Sequence, residues 1–171
     1  DTVAEWIAIG SNTGSVISTG ARNISSGASA LDANTSGADN VSIGRDAMTT
    51  ATTASNNVSI GNNTCMNLSG GNNNTVVGYG AGSGITTGAS NLVLGLQAGS
   101  TLSSGNSNVL VGAGADVNSA TAASRIVLGS NAVGLVDNSL TIDPIRSATT
   151  TNGLYYDTVT KEVTYGPVIS T

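Results

Sequence analysis

A five-residue string that recurs every 17 residues decides what this chain can fold into. WIAIG begins at Trp6, NISSG at Asn23, NVSIG at Asn40 and again at Asn57, and NTVVG at Asn74. NLVLG follows at Asn91, NVLVG at Asn108 and RIVLG at Arg125, so eight copies run without a slip. The fifth position is glycine in every copy: Gly10, Gly27, Gly44, Gly61, Gly78, Gly95, Gly112 and Gly129. A unit this short cannot bury an apolar side alone; it does so by stacking on its neighbours.

Counting columns from the first residue of each string, columns two and four carry Ile7/Ile9, Val41/Ile43, Val58/Ile60, Leu92/Leu94, Val109/Val111 and Ile126/Leu128. That alternation predicts a short strand with these two columns facing inward. The glycine after it suits a corner with positive φ, or one where a neighbouring backbone comes close. Column eight is small in all copies, from Thr13 and Ala30 to Ala132, as a narrow interior requires. Columns thirteen and fourteen are rich in Ser and Thr (Ser18-Thr19, Thr35-Ser36, Thr52-Thr53, Thr86-Thr87, Ser103-Ser104), which predicts a second strand with a hydroxyl ladder; Gly or Ala in column fifteen marks a second corner.

Two short strands and two corners per 17 residues describe one coil of a parallel β-solenoid. Eight coils at ~4.8 Å spacing make a rod of roughly 38 Å. Column one is Asn in six consecutive copies (Asn23, Asn40, Asn57, Asn74, Asn91 and Asn108) and predicts a stacked amide ladder. Asn also tolerates left-handed backbone at corners. Column three runs Ala8, Ser25, Ser42, Ser59, then Val76, Val93, Leu110, Val127. With columns two and four inward, this apolar run faces out and implies a partner surface.

Composition fits a thin solenoid. Glycine supplies 23 of 171 residues, with one Trp, four Tyr and no Phe, too few large side chains for a thick core. Net charge is −5, the five bases lie far apart, and residues 57–107 carry no charge. That leaves no footprint for nucleic acid or an anionic membrane, and no apolar run approaches the ~20 residues of a bilayer span. Cys65 is the single cysteine; it is either a free buried thiol or pairs across an oligomer axis. Asp143-Pro144 ends the pattern, dividing the chain into a solenoid over 1–142 and a C-terminal cap or neck over 143–171. Within the latter, LYYD from Leu154 and EVTYG from Glu162 predict a β-hairpin.

The run ITTGASNLVLG over residues 85–95 resembles the repeat of trimeric autotransporter adhesin heads, which are trimers of left-handed parallel β-rolls. Similar repeats occur in tail fibres of bacteriophages and fibre-like proteins of large DNA viruses, and the resemblance covers residues 6–142. The string GLYYDTVTKEVTYG from Gly153 resembles the segment that precedes the self-cleaving intramolecular chaperone of such fibres. The Ser-Asp-x-Arg-Leu-Lys-like string that opens that chaperone does not occur here. The resemblance therefore implies that Thr171 is a mature end after chaperone removal or a cut at that boundary; Asp1 in place of Met likewise reads as a processed product or a fragment.

With no His, a Ser-His-Asp or Cys-His nucleophile is excluded, as is the His base of the similarly built hexapeptide acyltransferases. Zinc lacks ligands, and no cofactor is called for. Asp32, Asp39 and Asp46 fall in columns ten, seventeen and seven, on different sides of the coil, and read as solvated charge rather than a glycosidase pair. The run GYGAGSG over residues 78–84 is two repeat corners, without the strand–helix context of a phosphate loop. Trp6 and Tyr79 are too sparse for an aromatic sugar platform. The expectation is a non-enzymatic homotrimeric segment of a virion fibre or spike, exposed outside the cell, that attaches to a host receptor, a glycan by preference, without membrane insertion. A bacterial adhesin head is the alternative; an ice-binding solenoid and a polysaccharide depolymerase follow.

Overall fold

The computed structural model describes residues 5–16 and 18–143, and the backbone of residues 152–156 and 163–167. The strands are β1 (Trp6–Ile9), β2 (Asn23–Ser26), β3 (Val41–Ile43), β4 (Val58–Ile60), β5 (Thr75–Val77), β6 (Leu92–Leu94) and β7 (Val109–Val111). Then come β8 (Asp116–Val117), β9 (Ile126–Leu128), β10 (Val133–Gly134), β11 (Leu140–Ile142), β12 (Asn152–Tyr156) and β13 (Val163–Pro167). Nine of them form one all-parallel sheet in the order β1 to β7, β9, β11. Val41 pairs with Val58 and Ile43 with Ile60, so neighbouring strands are one 17-residue repeat apart. The chain is a parallel β-solenoid of about eight coils, as the periodicity requires.

The faces of the strand are reversed from the expectation. Column three points inward: Ser25, Ser42, Ser59, Val76, Val93, Leu110 and Val127 are all fully buried. Columns two and four point out, half-buried or exposed. Alternation says which residues share a face and leaves open which face is core. Here each strand of about three residues runs between two sharp corners, and only its middle residue meets the interior. The other inward columns are eight (Ala30, Ala47, Ala81, Ala98, Ala115), as expected, and twelve (Leu68, Ile85, Leu102), which the sequence reading passed over.

The corners explain the glycines. The eight column-five glycines have φ between 131° and 141°. This backbone is closed to other residues without strain. A Cβ on Gly61 would also lie 2.6 Å from the carbonyl oxygen of Gly78 in the next coil. Both sequence-level reasons for glycine therefore hold at once. The left-handed turn at the other end of the strand sits in column seventeen (Arg22, Asp39, Asn56, Asn73, Ser90, Ser107, Ser124; φ 54–60°) rather than at the column-one Asn.

Those Asn residues form the expected ladder, buried along its whole length. Asn74 donates its backbone N–H (2.9 Å) and Nδ2 (3.1 Å) to Asn57 Oδ1, and Nδ2 also donates to the carbonyl of Gly88 at 2.9 Å. Its own Oδ1 accepts from the backbone N–H and Nδ2 of Asn91, both at 3.0 Å. Each interior amide is thus fully satisfied, and it ties column one to column fifteen across the coil.

Columns thirteen and fourteen do not form the expected second strand. The chain bends there, with backbone N–H groups of Ser18, Thr35, Ser69 and Thr86 donating to the next coil's carbonyls. The hydroxyl ladder is nevertheless present. Ser18, Thr35, Thr52 and Ser69 donate their hydroxyls to the carbonyls of Thr35, Thr52, Ser69 and Thr86, 17 residues on. Outside the main sheet, β8 and β10 make a two-residue parallel pair, and β12 and β13 pair antiparallel with Leu154 opposite Tyr165, the expected hairpin.

Inside the second to sixth coils, column three trades volume with column nine. Coils with a small residue in column three (Ser25, Ser42, Ser59) carry Leu31, Met48 and Cys65 in column nine; coils with Val76 and Val93 carry Gly82 and Gly99. Leu31, Met48 and Cys65 hold left-handed backbone, φ 46–53°, to reach inward. That conformation costs roughly 1–2 kcal/mol per non-glycine residue. A Cβ on Gly82 would meet Val76 Cγ1 at 3.0 Å and Cys65 Sγ at 3.2 Å, so the coil has room for one of the two side chains. The Ser-to-Val drift in column three is therefore interior repacking, not the sign of a partner.

The final coil is three residues short: Leu140 pairs with Ile126, fourteen residues back. Arg125 takes the ladder position there and is only 5% exposed. Its backbone N–H continues the ladder to Asn108 Oδ1 (3.1 Å), while its guanidinium donates to Asn118 Oδ1, Gly134 O and Asp137 Oδ1.

Replacing Asn74 by Ala strands the Gly88 carbonyl and the donors of Asn91. At ~1–3 kcal/mol per unsatisfied buried group, we expect a loss of about 3 kcal/mol or more in denaturant melts. The exchange of volume predicts a compensating pair. Ser59→Val and Cys65→Gly each destabilise, by overpacking and by a void, at ~1–3 kcal/mol apiece. The double variant reproduces the composition of the next coil and recovers most of that loss in a double-mutant cycle.

Candidate functional site

The outward columns two and four give the sheet an apolar stripe. Ile9 is 64% exposed at one end and Leu140 53% at the other, with Ile24, Ile43, Ile60, Val77 and Ile126 between them. In-register parallel stacking lines these side chains in two straight columns, a surface roughly 38 Å long and ~10 Å wide. An apolar patch of that extent is uncommon on a monomeric surface.

Beyond the glycine corner, on the next side of the coil, a groove of about 450 Å³ crosses successive turns. Asn63, Met66, Tyr79, Ser83, Gln97 and Ser100 line it. They belong to columns six, seven and ten, so the groove shares no residue with the apolar strand face. Its depth comes from Gly80 and Gly114, which stand in column seven where the flanking coils place Asn63, Gln97 and Asn131. Column seven has left-handed backbone in all eight coils, which is why Asn and Gly dominate it. Tyr79 is 52% exposed at the rim. Asn63 Oδ1 is buried without a hydrogen-bond partner.

Sequence reasoning saw Tyr79 as isolated, read Gly80 and Ser83 as part of two repeat corners in the run over residues 78–84, and passed over Met66, Gln97 and Ser100. The signal was present as a departure from the repeat: an aromatic in column six followed by glycine in column seven. A second groove, of about 460 Å³, lies beside Trp6 and Arg22 in the first two coils.

Among the described residues the charged side chains do not converge. Arg22 Nε and Nη2 donate to the two carboxylate oxygens of Asp39 at 2.6 Å each, which holds the Asp39 carboxyl below its usual range. Asp32 accepts from Ser15, and Arg45 pairs with its neighbour Asp46 at 3.1 Å. The N–H of Ala123, and then Arg125, draw the Asp137 carboxyl down as well. Asp32, Asp39 and Asp46 thus have separate partners, and no carboxylate pair is assembled. Among the described residues there is no group of three or more acidic, Cys or His side chains placed to hold a metal, and no helix long and apolar enough to cross a membrane.

The glycine corners and the Asn ladder are each brought into a straight line, and both are consumed by stacking. Thr171 lies outside the described residues. Cys65 is buried inside the solenoid, a free thiol, which leaves no sulfur for a bond to another copy through this fold. In column thirteen the hydroxyls of Ser18, Thr35, Thr52 and Ser69 are spent on carbonyls within the protein. Compared with known proteins, the chain matches no family model, no curated protein and no solved structure.

Burial pushes the Cys65 thiol up to about 12 from an ordinary 9.0, against a smaller opposite pull from Ser59. Because the folded value is raised, the thiol favours folding below pH 9 and that contribution is lost as pH climbs toward 12. At pH 8 we expect no reaction of the native protein with a thiol-specific reagent and one equivalent after unfolding; rapid native labelling would contradict the interior placement.

Proposed function

We propose that this solenoid is a structural segment of a virion fibre or spike, acting in host attachment as a homotrimer and not as an enzyme. The observation that carries the reading is the apolar strand face. A nine-stranded parallel sheet with two outward columns of Ile, Val and Leu is unsuited to water on that side, since parallel sheets are covered on both faces. A second copy is the occupant that fits best. Its face repeats the same columns at the same spacing, and the middle coils bring no charge to obstruct contact. Three copies, rather than two, come from the likeness to trimeric fibre and adhesin repeats. Function then follows from geometry: a stiff rod displays three identical surfaces, and weak contacts combine into avidity. The absence of His and the separate pairing of Asp32, Asp39 and Asp46 support a non-enzymatic role.

Light scattering after size exclusion tests the assembly. We expect a mass near 50 kDa, three times 16.7 kDa, that persists in detergent without boiling. Ile43→Glu together with Ile60→Glu places two carboxylates on the strand face of each copy. The double variant should run at 16.7 kDa with its coils intact by circular dichroism. A wild-type chain that is monomeric at every concentration would remove the assembly.

A further inference from the structure

We infer that the groove bounded by Asn63, Tyr79 and Gln97 is a binding site for a neutral oligosaccharide, an assignment that rests on the attachment reading for its biological purpose. Its size, about 450 Å³, falls within the ~300–1,000 Å³ of small-ligand sites. No charged side chain lines it, and it lies across the stretch of residues 57–107 that carries no charge. Asp116, beside the lining residue Ser100, is occupied: Ser100 Oγ donates to its carboxylate at 2.8 Å and the Thr101 N–H at 2.9 Å. A charged ligand would find no counter-ion, which excludes phosphate and sialic acid as the preferred group.

What the groove offers is the pairing that a sugar ring requires. Tyr79 and Met66 present exposed apolar surface for the C–H face of a pyranose. The amides of Asn63 and Gln97 and the Ser83 hydroxyl present donors and acceptors for ring hydroxyls, and Ser100 Oγ, whose proton goes to Asp116, presents an acceptor. Asn63 Oδ1 has no partner within the protein, so this amide can turn to meet a hydroxyl at no cost in existing hydrogen bonds. The groove lies where the repeat departs from itself, with Tyr in column six and glycine in column seven. Such local departures are where function is placed on a self-consistent scaffold. The site shares no residue with the strand columns, so assembly through the strand face would leave its lining free and display it three times.

The test uses the full chain and saturation-transfer difference NMR with lactose, maltose and N,N′-diacetylchitobiose, with sialyllactose as the charged probe. We expect millimolar binding of at least one neutral disaccharide and weaker binding of sialyllactose. Tyr79→Ala should weaken it at least tenfold and Gly80→Asn should abolish it by filling the groove. Both variants are built to fold. Column six already holds Ala28 and Ala113, and column seven already holds Asn12, Asn63 and Asn131 at the same left-handed backbone. A Cβ at position 80 would meet Gln97 Cγ at 3.5 Å, an ordinary contact. No neutral saccharide bound, a preference for sialyllactose, or wild-type binding by both variants would each overturn the assignment. Adsorption of labelled protein to host cells separates this from the attachment reading. Adsorption unchanged in both variants rejects the groove and keeps attachment; failure of the wild type to adsorb rejects attachment, while the titration still decides the groove.

Discussion

A buried primary amide must find partners for two donors and an acceptor with two lone pairs, and in this protein every interior amide of the column-one ladder finds them in the coils before and after it. That requirement fixes the length of the coil to the residue. One residue more or fewer would move each Asn out of reach of its neighbour's Oδ1 and leave polar atoms buried without partners. The rest depends on this register: glycine stacks on glycine, hydroxyl on carbonyl, and strand on strand. The one short coil shows the rule from the other side. Where three residues are missing, Arg125 replaces the amide and reaches Asn118, Gly134 and Asp137 with its guanidinium.

The interior is too thin to hold a conventional core, and it is filled one coil at a time. Column three and column nine share a single volume, which is why Ser59 accompanies Cys65 and Val76 accompanies Gly82. The two solutions are not equivalent. The Val/Gly coils bury more apolar surface on the strand and relieve left-handed strain, whereas the Ser/Leu, Ser/Met and Ser/Cys coils accept that strain to bring a larger side chain inward.

With stacking assigned to the buried columns, the outward ones are free to carry function. They divide into two surfaces on different sides of the coil. Columns two and four make an apolar stripe suited to another copy of the same chain. Columns six, seven and ten make a neutral groove where glycine replaces a side chain in alternate coils. In the proposed attachment role one side would serve assembly and the other recognition, and neither task would consume the other's residues.

The period, the glycine corners, the Asn ladder and the small column eight could all be read from the chain itself. A stacked repeat makes the same physical choice eight times, and those choices stand out against any one copy. The C-terminal antiparallel strand pair was legible too, because the strings from Leu154 and from Glu162 each read as a strand in the sequence. The inward face was not. Alternation is symmetrical about the strand, and in the later coils both faces are apolar, so Val93 and Leu94 look alike until the corners are placed. Nor was the groove: Asn63, Tyr79 and Gln97 are far apart along the chain and become neighbours only when coils stack at ~4.8 Å. The chain alone determined that coils must stack and in what register, because that is a periodic constraint written into every repeat. Which residues point inward, and which surface residues meet, was decided only by the closed coil, because direction and proximity are properties of the turn geometry and not of spacing.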